Sequence, residues 1–154
     1  VAEAANKIKF LNGLLRYIVA IFIAIFKFKN FPLKIIIDDK QELKGKFLLV
    51  AIGNGKFAGG GFNLNPEALV GDDHLDVMLA RDVSLFRIFR VLPKALEGKH
   101  ESEPEVSFIR CRKLEIFAQN DLPVYFDGEI PQLNDHKHLI ISIAPPKLNF
   151  IIPR

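Results

Sequence analysis

Two acidic groupings in this chain have the residue types and spacing to do chemistry. Asp127-Gly128-Glu129 follows the apolar run Leu122-Pro123-Val124-Tyr125-Phe126, so a strand there would deliver two carboxylates to its own end. A pair so placed can hold a magnesium–phosphate unit or take a proton from an attacking hydroxyl. Asp-Gly is equally a common two-residue hairpin turn, and the residues alone leave both readings open. The second grouping is Asp72-Asp73-His74 with Asp76. Carboxylates and carbonyls from one loop suit a hard cation such as Mg2+; a solvated acidic loop would read the same way.

Between Val50 and Pro66 lies VAIGNGKFAGGGFNLNP, with glycine clusters at Gly53-Asn54-Gly55 and Gly59-Gly60-Gly61. Glycines beside an apolar run mark a backbone that turns tightly or passes close to another strand, a ligand or a phosphate. Neither Gly-x-x-x-x-Gly-Lys-Ser/Thr nor a helix-opening Gly-x-Gly-x-x-Gly is present, so neither standard nucleotide loop is formed. His136-x-His138 would share a strand face but has no third metal ligand in view. Ser84 has no histidine at motif spacing, and no aromatic-plus-basic motif of a nucleic-acid reader occurs.

The elements that must position these groups are mostly short strands. Leu33, Ile35 and Ile37 alternate, Asp38-Asp39-Lys40-Gln41 turns the chain, and Lys46–Ile52 returns as the second arm of a hairpin. Phe62-Asn63-Leu64 is a short extended piece and Leu75–Ala80 a core strand. Val106–Arg110, Lys113–Ala118, Leu122–Phe126, His138–Ile143 and Leu148–Ile152 follow as further strands. Two helices interrupt them. Ala4–Lys29 is strongly apolar, but only about ten uncharged residues separate Arg16 from Lys27, half of what a membrane span needs. It reads as a buried helix, or as one facing a lipid pocket or bilayer surface. Ser84–Leu96 has a good N-cap and an apolar stripe of Leu85, Ile88, Phe89, Leu92 and Leu96. Pro93 is expected to kink or end it. Arg87, Arg90 and Lys94 form a basic face that would be solvated or would dock on lipid headgroups.

This pattern predicts a mainly β chain: an antiparallel β-sandwich with two or three added helices, one domain over 1–154. With 49% apolar residues, including 14 Phe, the chain can bury a sizeable core, which excludes a disordered protein. The net charge of +3 suits an anionic membrane surface or a phosphate ligand. A lone cysteine, Cys111, excludes an internal disulfide and fits a reducing, cytoplasmic setting. No signal peptide is seen, and the opening at Val1 without methionine reads as a piece of something longer.

Taken in order, NG…GGG, then P-x-A…DD…LDV, then LPV…DGE resembles the C-terminal domain of diacylglycerol kinase- and sphingosine kinase-like lipid kinases, from about Phe31 onward. The resemblance implies the second domain of the NAD kinase/diacylglycerol kinase-like fold. The family's Gly-Gly-Asp-Gly ATP loop does not occur, so the ATP-binding N-terminal domain is expected to be absent from this chain. The implied reaction transfers the γ-phosphoryl group of ATP to a lipid hydroxyl, with Mg2+ as cofactor. The resemblance assigns catalysis to Glu129, as general base, and Asp127, as its partner. Gly128, Asn54 and Gly55 are the implied cofactor-binding positions. It implies a structural Mg2+ held by the Asp72 carboxylate and the carbonyls of Leu69 and His74, although Asp73 stands where the family has glycine. Implied partners are a lipid substrate and an anionic membrane, approached peripherally, with homo-oligomerisation left open and no nucleic acid. The alternative is a non-catalytic sandwich that binds lipid or protein. Kinase action on a nicotinamide dinucleotide is disfavoured, because that related family's second-domain signature is missing.

Overall fold

A computed structural model describes residues 29–58 and 61–144. The helix expected over Ala4–Lys29 and the strand over Leu148–Ile152 lie outside the described residues. Eight strands and one α-helix follow in order: β1 (Phe31–Ile37), β2 (Gln41–Gly53), β3 (Phe57–Ala58), β4 (Phe62–Asn63), β5 (Leu75–Arg81), α1 (Leu85–Glu97), β6 (Val106–Cys111), β7 (Lys113–Ala118) and β8 (His138–Ser142). A 3-10 turn, His100–Ser102, precedes β6.

Six strands form one antiparallel sheet in the order β6-β5-β2-β1-β7-β8, and β3 pairs with β4 as a separate ribbon. β2 is longer than the seven residues expected from sequence because it serves two neighbours. Its first half pairs with β1, from Ile37↔Gln41 to Phe31↔Phe47, and its second half pairs with β5 up to Gly53↔Asp76. A register shift between Phe47 and Leu49 marks the change; such a bulge bends the strand.

β6 and β7 are separated only by Arg112, yet β6 is the edge of the sheet while β7 lies four strands away. The sheet must therefore roll until its two sides meet at Arg112. The Ile143 N–H donates to the Arg112 carbonyl (3.2 Å), and the Asp38 carboxylate accepts from the N–H groups of Arg112 (2.8 Å) and Lys113 (2.9 Å). Strands that cross from one half-sheet to the other make the corners of a sandwich.

The core lies inside this roll. Alternate residues of β1 (Leu33, Ile35, Ile37), β5 (Leu75, Val77, Leu79) and β7 (Leu114, Ile116) are buried together with Phe47 and Cys111, the period-2 pattern of strands that bury one face. β5 is buried on its other face as well, at Asp76 and Met78. On that side the β3–β4 ribbon packs against α1, and the His100 turn packs on α1 and β6.

The helix expected over Ser84–Leu96 is present as α1, and of the kink or end expected at Pro93 the end does not occur. α1 runs one more turn to Gly98, a left-handed cap (φ 73°) whose N–H bonds the Lys94 carbonyl. Buried Ala95 and the Lys94–Glu103 ion pair hold this last turn in place, so tertiary contacts override the proline. Leu122–Phe126 is not a strand. Its N-terminal part is tied by Leu122 N–H to the His136 carbonyl (3.0 Å), and its only ladder element is a bridge between Phe126 and Glu129. Pro123 has no N–H to give, and most of the segment faces solvent.

Candidate functional site

The end of β2, the loop from Asn65 to His74 and the start of β5 meet around Gly53. A Cβ at Gly53 would lie 3.1 Å from the Gly55 carbonyl oxygen and 3.3 Å from Asn65 Nδ2. The glycine is needed because the backbone folds back on itself here and the buried Asn65 closes over it. Asn65 Nδ2 donates to the Asp76 carbonyl (3.2 Å), and Gly55 lies against Val70. The close approach legible in the glycine run is thus to the acidic loop, with Asn54 exposed at the turn.

The loop is organised by its carboxylates. Asp72 Oδ1 accepts the His74 N–H (3.0 Å), His74 Nδ1 lies 2.8 Å from the Asp72 carbonyl, and Asp72 Oδ2 is paired with the Arg110 guanidinium of β6. Asp73, the departure from the family pattern, has φ 63°. Aspartate tolerates the left-handed region better than most residues, so it can follow the backbone path that glycine would take. Leu69 is exposed, and its N–H donates to the Asp76 carboxylate.

Asp76 belongs to the acidic grouping read from sequence, though not to the positions that the resemblance assigns to Mg2+. Its side chain is 7% exposed, and Arg110 Nε lies 3.4 Å from Oδ1. Burial pushes the carboxyl above the usual range, against the pull of Arg110. Asp76 Oδ2 and Asn65 Oδ1 are both buried without a hydrogen-bond partner. An apolar strand with one aspartate at its entry was the available signal. Among the described residues no three histidine, cysteine or carboxylate side chains converge on one point. A cation here would therefore rest on carbonyls and waters as well as carboxylates, and the orphaned acceptors fit such a hard ion.

Asp127 and Gly128 have φ 47° and 90°, and Phe126 and Glu129 exchange both backbone hydrogen bonds at 2.9 Å. This is a two-residue hairpin turn with positive φ at both central positions, the geometry that selects Asp-Gly or Asn-Gly. Residues 125–130 are all exposed, with Phe126 and Ile130 flanking the carboxylates. Neither carboxylate has a hydrogen-bond or ion-pair partner among the described residues. The two groupings also sit apart along β7: the acidic loop enters β5 opposite Cys111, just before β7 begins, whereas the turn follows the end of β7.

The remaining candidates separate. His138 stacks on Phe117 (4.4 Å between ring centroids) and bonds Glu115 (2.7 Å), while His136 precedes β8 and bonds the Leu122 carbonyl. The two histidines share no site. On α1, Arg87 holds Glu105 and Glu103 (both 2.7 Å) and Lys94 also pairs with Glu103, so two of the three basic residues turn onto the fold itself. No helix among the described residues is long and apolar enough to cross a membrane.

A rolled antiparallel sheet with a glycine-backed acidic loop and a carboxylate turn defines a class of β-rich domain that has known relatives. The chain belongs to the family described as the YegS C-terminal NAD kinase beta sandwich-like domain, whose model matches residues 1–151. A diacylglycerol kinase of Mycobacterium tuberculosis is 27% identical over all 154 residues of this chain, which cover 48% of that protein. A probable lipid kinase YegS-like protein of Shewanella frigidimarina is 35% identical over 118 residues, 77% of this chain and 37% of that protein. The crystal structure of a diacylglycerol kinase from Bacillus anthracis superposes on 78% of this chain and 40% of its own, with a TM-score of 0.54 at 20% identity, a likeness of fold. The chain spans about half or less of the length of these relatives.

Proposed function

We propose that this chain is the lipid-side domain of a two-domain kinase that moves the γ-phosphoryl group of ATP to a lipid hydroxyl, with the ATP-binding domain outside these 154 residues. Family membership and the names of the longer relatives support a kinase parent. The observation that carries the reading is the turn at Asp127-Gly128-Glu129, which holds two carboxylates at an exposed tip with no hydrogen-bond or ion-pair partner among the described residues. Glu129 takes the proton from the attacking hydroxyl, and Asp127 orients the hydroxyl or the metal–phosphate unit. Gly128, Asn54 and Gly55 let phosphate approach the backbone closely. Mg2+ supplies charge neutralisation for phosphate, and the Asp72 carboxylate with the Leu69 and His74 carbonyls would hold a structural ion. Exposed Phe126 and Ile130 give the turn an apolar surround suited to an acyl chain or the second domain. Work at a membrane surface from the cytoplasmic side follows from such a substrate.

The test is transfer of labelled phosphate from ATP to mixed lipids. The complete parent is expected to label a lipid and the 154-residue chain alone is not, because positioning by both domains supplies most phosphoryl-transfer catalysis. Labelling by the isolated chain would overturn the division of labour. A parent inert towards every lipid class would overturn the kinase reading.

A further inference from the structure

We propose that Asn54-Gly55 is a site of spontaneous covalent modification, where the asparagine deamidates and leaves a carboxylate or a lengthened main chain in the turn after β2. The reaction needs an asparagine side chain free to bend back on its own backbone, and a following nitrogen that nothing shields. Glycine, without a Cβ, hinders that nitrogen least.

The turn meets both needs. β2 ends at Gly53 and β3 starts at Phe57, so Asn54, Gly55 and Lys56 lie outside both ladders. Asn54 is exposed. Among the described residues, neither its side-chain amide nor the Gly55 N–H makes a hydrogen bond. The other asparagines of the described fold lack this combination. Asn65 is buried, holds the Asp76 carbonyl through Nδ2 and precedes Pro66, whose nitrogen carries no hydrogen. Asn30 is bonded to Asp82, Asn63 Oδ1 is buried, and Asn120 and Asn134 each precede an aspartate, whose side chain crowds the nitrogen.

In the reaction the Gly55 nitrogen gives its proton to hydroxide and attacks Asn54 Cγ. The new C–N bond closes a five-membered succinimide, and the side-chain nitrogen leaves as ammonia, taking a proton from water and restoring the hydroxide. One water then opens the ring. Attack at the Cγ carbonyl gives an aspartate, whereas attack at the backbone carbonyl gives an isoaspartate, whose main chain is one methylene longer. The fold-back has no room for that methylene: a Cβ at Gly53 would already lie 3.1 Å from the Gly55 carbonyl oxygen and 3.3 Å from Asn65 Nδ2. Isoaspartate therefore loosens the end of β2 from Asn65. Both products also put a negative charge where phosphate approaches the backbone, a consequence that rests on the function proposed above.

The 154-residue chain is aged at mildly alkaline pH and mapped by tryptic mass spectrometry, with isoaspartate counted by a protein-isoaspartate methyltransferase. Peptide Phe47–Lys56 carries Asn54 as its only asparagine, and the other Asn-Gly, Asn12-Gly13, is read separately in Phe10–Arg16. Phe47–Lys56 is expected to exchange its amide for a carboxyl and to accept methyl groups. Gly55→Ala, whose methyl meets only Val70 Cγ2 at 3.8 Å, keeps the fold by circular dichroism and should slow the exchange at least roughly tenfold. Aged wild type should melt below aged Gly55→Ala. An unchanged Phe47–Lys56, or equal rates in Gly55→Ala, overturns the site, and modification without a fall in melting overturns the steric consequence. In the complete parent, Asn54→Asp reproduces the charge without the longer chain and should lower lipid phosphorylation at least roughly tenfold. Unchanged turnover there, with the peptide still deamidating, overturns the phosphate approach and leaves the modification site standing.

Discussion

Replacing Asp127 by Asn and Glu129 by Gln separates catalysis from architecture at the hairpin tip. Both carboxylates are exposed and have no hydrogen-bond or ion-pair partner among the described residues, so neither change removes a contact that holds the fold. Asn-Gly makes the same turn at φ 47° and 90° as Asp-Gly. A surface change of this kind stays within about 0.5 kcal/mol, a melting shift of no more than roughly 2 °C for a chain of this size. Any net effect should be slightly stabilising, because two neighbouring carboxylates repel each other. In the complete parent, loss of a general base or metal-positioning carboxylate should lower turnover at least roughly a hundredfold, about 2.7 kcal/mol of barrier. The barrier effect thus exceeds the stability effect about fivefold. Thermal melts of the 154-residue variants and initial rates of lipid phosphorylation by the parent variants measure the two sides. Turnover within about threefold of wild type in both variants, with unchanged melts, would refute the argument and leave an ordinary turn. A fall of many degrees would show that the carboxylates carry structure.

Two further outcomes follow from the rolled sheet. Hydrogen bonds from the Lys113 and Arg112 backbone hold the Asp38 carboxyl below the usual range, so its contribution is present above the ordinary carboxylate pKa and fades as pH falls through the depressed value. Asp38→Asn, which keeps the oxygen but loses the charge, should cost about 1–2 kcal/mol at neutral pH; a melting gap from wild type that fails to close on acidification would sink this account. Cys111 is 1% exposed, and burial pushes its thiol up to about 11. A thiol reagent at neutral pH should therefore modify it only on unfolding, and native-state labelling at the rate of a free thiol would contradict that.

The sheet was largely legible because β1 and β7 bury every second residue and β5 is a short apolar run, patterns that survive in the letters. What letters do not carry is partnership. β2 looked like a seven-residue strand because nothing in its composition announces that it changes neighbours at Phe47–Leu49. Leu122–Phe126 has strand composition but no partner along its length, and Pro123 removes a donor. The acidic loop and the turn were found from carboxylate spacing and turn chemistry, which are local. Asp76 was grouped with the acidic loop from sequence, but the oxygen it leaves bare under that folded loop is a property of packing that the letters do not carry. Asp73 shows the reverse: its departure from glycine looked disruptive, yet its backbone adopts a left-handed angle.

The single residue between β6 and β7 bears on how this protein is made. On the ribosome, β1 and β2 can pair as soon as they emerge, since their turn is local. The roll cannot close then, because the strand that joins its two sides ends some eighty residues later, and the Asp38 carboxylate must wait for Arg112 and Lys113, 74 and 75 positions downstream. Through that interval the edge of β1 has no β7 to pair with, and its inner face (Leu33, Ile35, Ile37) lacks the core residues Leu114 and Ile116 that β7 brings. The nascent domain thus carries an open apolar sheet through much of its synthesis, a natural substrate for chaperones, and a premature stop before Lys113 should yield an aggregate in place of a smaller folded unit.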